Sequence, residues 1–180
     1  ELHCTLKQWC SDRQFGLHRD GCGRMFRYID ALFRSRPGVV VVSSDHTDAY
    51  SHVNRKGAIQ AGRSCCLEVE VVLRSLLSKE SYHILQDHHG IKFLRQNNSF
   101  DQGCNMSSAG YCVSSNAALL AAQAAAQAVD PLAEVVSFID DTYFIGPPQV
   151  AVAGLKAYQQ KLSEDLQVQE NQSKRKCILR

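Results

Sequence analysis

The chain has 180 residues, 44% of them hydrophobic and 21% charged, with a formal charge of +2. That length suffices for one domain with its own core, and the composition is that of a soluble globular protein. The longest apolar runs fall far short of a membrane span, and a net charge so near zero does not by itself mark a nucleic-acid binder.

The opening residues Glu1-Leu2-His3 lead into a mixed polar segment with no leader-like apolar core. An intracellular protein of nucleus or cytoplasm, not secreted and not membrane-bound, is the expectation. The eight cysteines contain no C-x-x-C pair, which argues against a zinc site, and the adjacent Cys65-Cys66 do not suit a disulfide framework. They are expected to be reduced thiols, mostly buried. Arginines crowd the N-terminal part (Arg13, Arg19, Arg24, Arg27, Arg34, Arg36), and Lys174, Arg175, Lys176 and Arg180 crowd the end. Such clusters read equally as phosphate contacts or as solvated faces.

In chain order, residues 1–20 give no clear element beyond a turn at Gln14-Phe15-Gly16, and Gly21-Cys22-Gly23 reads as a break. From Arg24, the apolar spacing Met25, Ile29, Leu32, Phe33 predicts a helix that Pro37-Gly38 ends. Val39–Val42 predicts a buried strand running into Ser43-Ser44-Asp45. One helix is expected from about Lys56 to Ser78, with Gly62 as its soft spot. Short strands are expected at 83–85 and 91–94 around Asp87-His88-His89-Gly90, then a turn at Asn97-Asn98-Ser99. An alanine-rich helix follows over 107–129, stopped by Asp130-Pro131.

The most informative stretch is 135–146. Two runs of strand-formers, 135–139 and 143–145, flank Asp140-Asp141, which predicts a hairpin with the acids at its turn. Neighbouring strand residues point to opposite faces, so the two carboxylates should not be equivalent. Like charges so close repel and call for a compensating cation; the alternative is a solvated turn. After Gly146-Pro147-Pro148 a helix is expected with Val152, Leu155, Tyr158, Leu162 and Leu166 on its apolar face. A short strand and turn over 167–174 and a further strand at 177–179 close the chain.

Taken in order, these motifs resemble those of a reverse transcriptase palm of the retrotransposon, non-long-terminal-repeat type. Phe138-Ile139-Asp140-Asp141 matches the aromatic-x-Asp-Asp hairpin. Asp45-His46-Thr47-Asp48-Ala49-Tyr50, with Arg55 beyond it, matches the first acidic motif at a strand end. Gln102-Gly103, Ser107 and Tyr111 match the template-side motif, and Asn171-Gln172-Ser173-Lys174 matches a later turn, with Gln for the usual Pro. Gln14-Phe15-Gly16 is similar to a segment that precedes the first acidic motif. Ser44 and His46 stand where the family is usually apolar.

The resemblance implies an α+β polymerase palm: an antiparallel sheet with the Asp-Asp hairpin, packed on helices, with partial fingers and no thumb. It places the fingers–palm connection in residues 1–38 and the palm in 39–180, within a longer polyprotein. It implies RNA-directed DNA polymerisation, with dNTPs added to a primer 3′-hydroxyl on an RNA or DNA template. Asp45, Asp140 and Asp141 would hold two Mg²⁺ or Mn²⁺ ions, with Asp45 and Asp140 as the main ligands. Tyr50 and Ala49 would lie at the sugar, Gln102 and Gly103 at template or nucleotide, Lys174 at the triphosphate, and Ser107 and Arg55 on the template side. A decayed or domesticated palm that binds nucleic acid without polymerising is the main alternative. A palm-type nucleotide cyclase lacks its usual Gly-Gly-acidic hairpin here, and the intact acids argue against a pure assembly module.

Overall fold

The computed structural model describes residues 2–46, 49–96, 100, 101, 104 and 106–179. Thr47, Asp48, the 97–99 turn, Gln102 and Gly103 lie outside the described residues. The helices are α1 (Leu2–Trp9), α2 (Gly21–Ser35), α3 (Ala49–His52), α4 (Arg55–Cys65), α5 (Leu67–Leu77), α6 (Ser107–Val129) and α7 (Pro148–Leu166). The strands are β1 (Val40–Ser44), β2 (Ser81–Asp87), β3 (Gly90–Gln96), β4 (Glu134–Phe138), β5 (Asp141–Gly146) and β6 (Lys176–Ile178). β4, β5, β1 and β6 form one antiparallel sheet in that order; β2 and β3 form a separate antiparallel hairpin. The class is therefore mixed α+β with antiparallel sheets. Among the described residues, no helix is long and apolar enough to cross a membrane.

Strand alternation gives the sheet two apolar faces. Val40, Val42, Val135 and Phe144 pack on α6 and α7. Val39, Val41, Val136 and Ile145 pack on Met25 and Ile29 of α2. Burying a side chain such as Phe144 or Ile145, both fully buried, contributes about 1.5–3 kcal/mol. α6 and α7 meet along much of their length because α6 is mostly small residues, and Tyr111 and Tyr158 fill the space beneath the sheet. Arg36 clamps the back of α2 to the turn before β4: one nitrogen lies 3.0 Å from Asp130 and another donates to Leu132 O. Arg13 pairs with Glu134 at 2.8 Å. These N-terminal arginines thus serve internal contacts.

Several expectations change. Gly21-Cys22-Gly23 is the first turn of α2 and not a break; a Cβ on Gly21 would lie 1.9 Å from Phe15 O, so the glycine serves a close approach. The segment 55–77 is two helices. The chain breaks at Cys66, which is fully extended (φ −168°, ψ 167°), and not at Gly62, so that α5 folds back on α4. On α7 the buried face includes Val150 and Ala151, while Val152 is exposed. Residues 167–174 form an isolated bridge at Glu170 and a 3-10 turn at Gln172–Lys174 instead of a strand. Two of the eight cysteines, Cys10 and Cys112, are buried; all are free thiols, and four are exposed. Burial pushes the Cys10 thiol up to about 12, with nearby Cys65 adding to it.

Candidate functional site

The sheet register assembles the site. Ser44 pairs with Thr142 across β1 and β5. One further step along that ladder sets Asp45 beside Asp141. Both belong to the sheet face that carries Val41, Ser43, Tyr143 and Ile145, the face α2 covers only in part. They line a cavity of about 370 Å³ with Ser43, Tyr143, Lys174 and Lys176, and Phe26 of α2 forms part of its wall. Phe26 meets the Tyr143 ring edge-on at 5.9 Å. Lys174 Nζ lies 3.1 Å from Asp45 Oδ2. The segment after α7 fixes Asp45 from the other side: Asn171 N donates to Asp45 O at 2.9 Å.

Asp140 sits in the loop itself. Phe138 pairs with Asp141, leaving a two-residue turn of Ile139 and Asp140. Ile139 has φ +59°. For a β-branched residue that is a strained conformation, costing about 1–3 kcal/mol. Buried polar side chains hold it. Gln14, 1% exposed, accepts from Ile139 N at 2.9 Å and donates to Ile139 O at 3.3 Å. Ser137 Oγ lies 3.2 Å from Ile139 O, 3.0 Å from Asp141 O and 3.1 Å from Thr142 Oγ1, sharing its one proton among them. Thr142 donates in turn to the buried Tyr158 hydroxyl at 3.0 Å.

His46 supports the turn from the β1 side. Its Nδ1 lies 3.0 Å from Asp140 O. A carbonyl only accepts, so Nδ1 carries the proton. Nε2 is buried without a hydrogen-bond partner among the described residues. Burial pushes the His46 pKa down, against the bond to Asp140 and the charges of Asp140, Asp45 and Glu170, which keeps the ring neutral. Glu170, its carboxylate nearly enclosed, accepts from Ser44 Oγ at 3.0 Å and pairs with Arg175.

The three carboxylates share one field. Partial burial raises the Asp141 pKa, and the charges of Asp140 and Asp45 raise it further, while Lys174 and Lys176 oppose them. The Asp140 charge also acts on Tyr50, whose pKa is raised first by burial. Tyr50 is half-buried, its hydroxyl 3.1 Å from Ser108 Oγ and its ring 5.5 Å from Tyr111. Among the described residues, no three His, Cys, Asp or Glu side chains form a ready-made metal cage. Oxygen donors available to a divalent cation are Asp45 and Asp141 on the cavity, with Asp140 beside them.

The other expected residues are distributed differently. Ala49 is buried at the start of α3. Ser107 is buried at the start of α6 and donates to Asp101 O at 2.6 Å. Arg55 lies apart from the acids, buried, donating to Lys79 O at 2.8 Å and Ser81 Oγ at 2.6 Å. It lines a second cavity, of about 470 Å³, whose charged lining is Arg55, Lys56, Lys79 and Glu80 and which brings no two carboxylates together. The sequence marks Gln14 only through the Gln14-Phe15-Gly16 segment, and nothing in it singles out Ser137, Thr142 or Glu170 as supports. Ser137 and Thr142 become visible once the loop is set at two residues, since they are then cross-strand partners.

No protein-family model and no curated protein matches the chain. Solved structures do. Telomerase from Candida albicans, in complex with a TWJ fragment of telomeric RNA, superposes with a TM-score of 0.70 at 12% identity, covering 99% of this chain and 34% of that one. Apo telomerase from Candida tropicalis truncated from the C-terminal domain gives 0.67 at 12% identity, covering 98% and 39%. Apo telomerase from Candida tropicalis gives 0.60 at 12% identity, covering 87% and 31%. The chain thus spans between about 30% and 40% of the length of these structures. At such identity the likeness establishes the fold alone: an α+β fold shared with part of these telomerase structures.

Proposed function

We propose that the chain is the palm of an RNA-directed DNA polymerase of a retroelement, of non-long-terminal-repeat type, with residues 1–38 joining fingers to palm and 39–180 forming the palm. The observation that carries this is the convergence of Asp45 and Asp141 on one cavity, with Asp140 on a strained turn beside them. The donor set fits Mg²⁺ or Mn²⁺: hard carboxylate oxygens, too few for an all-protein cage, which leaves coordination positions for substrate phosphates. The mutual charge that raises Asp141 is what a divalent cation would relieve. Two such ions, when bound, neutralise phosphate oxygens and lower the pKa of the attacking hydroxyl.

In this reading the primer 3′-oxygen bonds to the α-phosphorus of a dNTP and pyrophosphate leaves. Asp45, Asp140 and Asp141 would hold the ions, which would help to set the reacting groups in line. Lys174, already within reach of Asp45, is placed to turn to the triphosphate. Tyr50 and Ala49 lie under the sugar, and the Tyr50 ring excludes a 2′-hydroxyl. Gln102 and Gly103 touch template or nucleotide, and Ser107 belongs to the template side. Arg55 acts there indirectly, by anchoring the start of β2. The partners are a primed RNA or DNA template, dNTPs and the rest of a polyprotein.

The test is primer extension by a longer protein containing this chain and its native flanks. Asp140→Asn should reduce nucleotide addition by about 100-fold or more, since even outer-shell changes cost about 10–100-fold in metal sites. Extension at the parental rate would refute the assignment. A second reading, a palm that binds nucleic acid without polymerising, draws on the Lys174–Asp45 pair, which already neutralises one acid. Template binding without extension in the same unmutated protein would favour it.

A further inference from the structure

We propose that Gln14 is a positioning residue for the acidic hairpin: its amide locks the Ile139 peptide in the left-handed conformation that sets Asp140 and Asp141. The inference rests on the reading of those acids as metal ligands. The two-residue loop between Phe138 and Asp141 demands a positive φ at its first residue, and Ser137 Oγ supports it from within the hairpin at 3.2 Å from Ile139 O, but the residue there is the wrong type. Glycine supplies positive φ freely, and Asn or Asp tolerates it, whereas isoleucine avoids it. Isoleucine adopts it at a cost, so holding it calls for support beyond the hairpin's own hydrogen bonds.

Gln14 has the chemistry to impose it. One carboxamide meets both polar groups of Ile139, accepting from its N–H at 2.9 Å and donating to its C=O at 3.3 Å. The same Oε1 accepts from Gly16 N at 3.0 Å, which fixes the amide's orientation. Its backbone is fixed too: Gln14 bridges to Ser137, and Ser137 N donates to Arg13 O at 2.9 Å. The side chain is 1% exposed, so water does not compete for these bonds. Neither leucine, with no polar group, nor an ionised glutamate, which only accepts, can make the same pair. If the Ile139 peptide turned over, Asp140, the next residue, would turn with it. A residue 125 positions away in sequence thereby decides where the carboxylates point.

The experiment measures Mn²⁺ affinity of this chain by electron paramagnetic resonance, beside backbone NMR shifts of residues 138–142. Gln14→Leu should weaken Mn²⁺ binding about 10-fold and move the hairpin shifts, while those of 40–43 in β1 stay in place. Ile139→Gly added to Gln14→Leu should recover most of the affinity, because glycine accepts the conformation unaided. Leu162→Ala, a remote core change, should lower thermal stability without altering Mn²⁺ affinity. If Gln14→Leu prevents folding, Gln14→Glu carries the test, since it keeps the volume and both accepting bonds. Parental affinity and shifts in the Gln14 variant, or a loss that Ile139→Gly fails to recover, would overturn the proposal. If the parent's Mn²⁺ binding is absent or survives Asp45→Asn and Asp141→Asn, the metal reading fails instead. The hairpin shifts then decide on Gln14 alone: moved, they support the lock; unmoved, they refute it.

Discussion

Two hairpins of this chain close with two-residue loops, each with an aspartate beside the turn, and they are held by opposite means. In β2–β3 the loop is His88-His89, and the positive φ falls on Gly90 (+118°) at no steric cost. Asp87 is satisfied locally, accepting from His89 N and Lys92 Nζ, each at 2.8 Å. Lys92 foremost, then His89, lowers its pKa. The strands expose Ile84 and Phe93 by about two thirds. In β4–β5 the positive φ falls on isoleucine, the supports come from Gln14 and His46 far away in sequence, and the Asp141 pKa is raised. The first aspartate has its cation. The second has an incomplete one: Lys174 and Lys176 oppose what burial, Asp140 and Asp45 add, the imbalance that the proposed cation would relieve.

The largest effect that tests this contrast is on the buried supports. Ser137→Ala removes the hydroxyl shared by Ile139 O, Asp141 O and Thr142 Oγ1. Leaving such buried groups short of a donor should cost about 1–3 kcal/mol, measured by urea unfolding. Asp87→Ala, at an exposed turn, should move the unfolding midpoint far less. Equal shifts would mean that burial adds nothing to the hold on the acidic hairpin.

That difference also explains what the sequence could disclose. The 107–129 helix was legible to the residue, because alanine propensity and Asp130-Pro131 act locally. The acidic hairpin was legible for the same reason: two runs of strand-formers around a polar pair. Asp45 and Asp141 meeting on one cavity is a matter of register between β1 and β5, which no local pattern states. Gln14, Glu170 and His46 act through burial; resemblance marks the segments of Gln14 and His46 but not the contacts that each makes. The α4–α5 break hid because Cys66, neither glycine nor proline, is the residue that extends. Gln102 and Gly103, outside the described residues, rest on resemblance alone.

A smaller effect, of opposite sign, should appear at the carboxylates themselves. A carboxyl with a raised folded-state pKa binds its proton more tightly in the native protein. Stability is then lost as pH rises from the ordinary value of 3.8 through the raised one, and the loss is complete above it. Asp141→Asn carries no such charge. In metal-free buffer it should therefore be more stable than the parent at about pH 7 and lose that advantage by about pH 3. Asp87, with its lowered pKa, works the other way. Its contribution is present above 3.8 and fades as pH falls through the lowered value, so Asp87→Asn should be the less stable protein at neutral pH. Thermal unfolding of both variants across that range gives the comparison. The same slope in both would show that the two acids sit in equivalent surroundings.

The smallest net effect belongs to Ile139→Gly, because three contributions oppose one another. Releasing the φ of +59° returns about 1–3 kcal/mol. Greater freedom of the unfolded glycine chain costs about 0.5–1 kcal/mol. Loss of a partly buried side chain, packed on the core and close to Gly16, costs about 1–2 kcal/mol. The sum should lie within about 1 kcal/mol of the parent. Ile139→Ala loses nearly the same packing and keeps the strain, so it should be less stable than Ile139→Gly by about 1 kcal/mol. Gly90→Ala should likewise destabilise β2–β3 by about 1 kcal/mol, since alanine must then adopt a φ of +118°. Urea unfolding of the three variants separates packing from strain, because Ala and Gly at 139 differ mainly in backbone freedom. If Ile139→Ala proves more stable than Ile139→Gly, residue 139 does not hold a positive φ in solution, and the acidic hairpin is as locally determined as the exposed one.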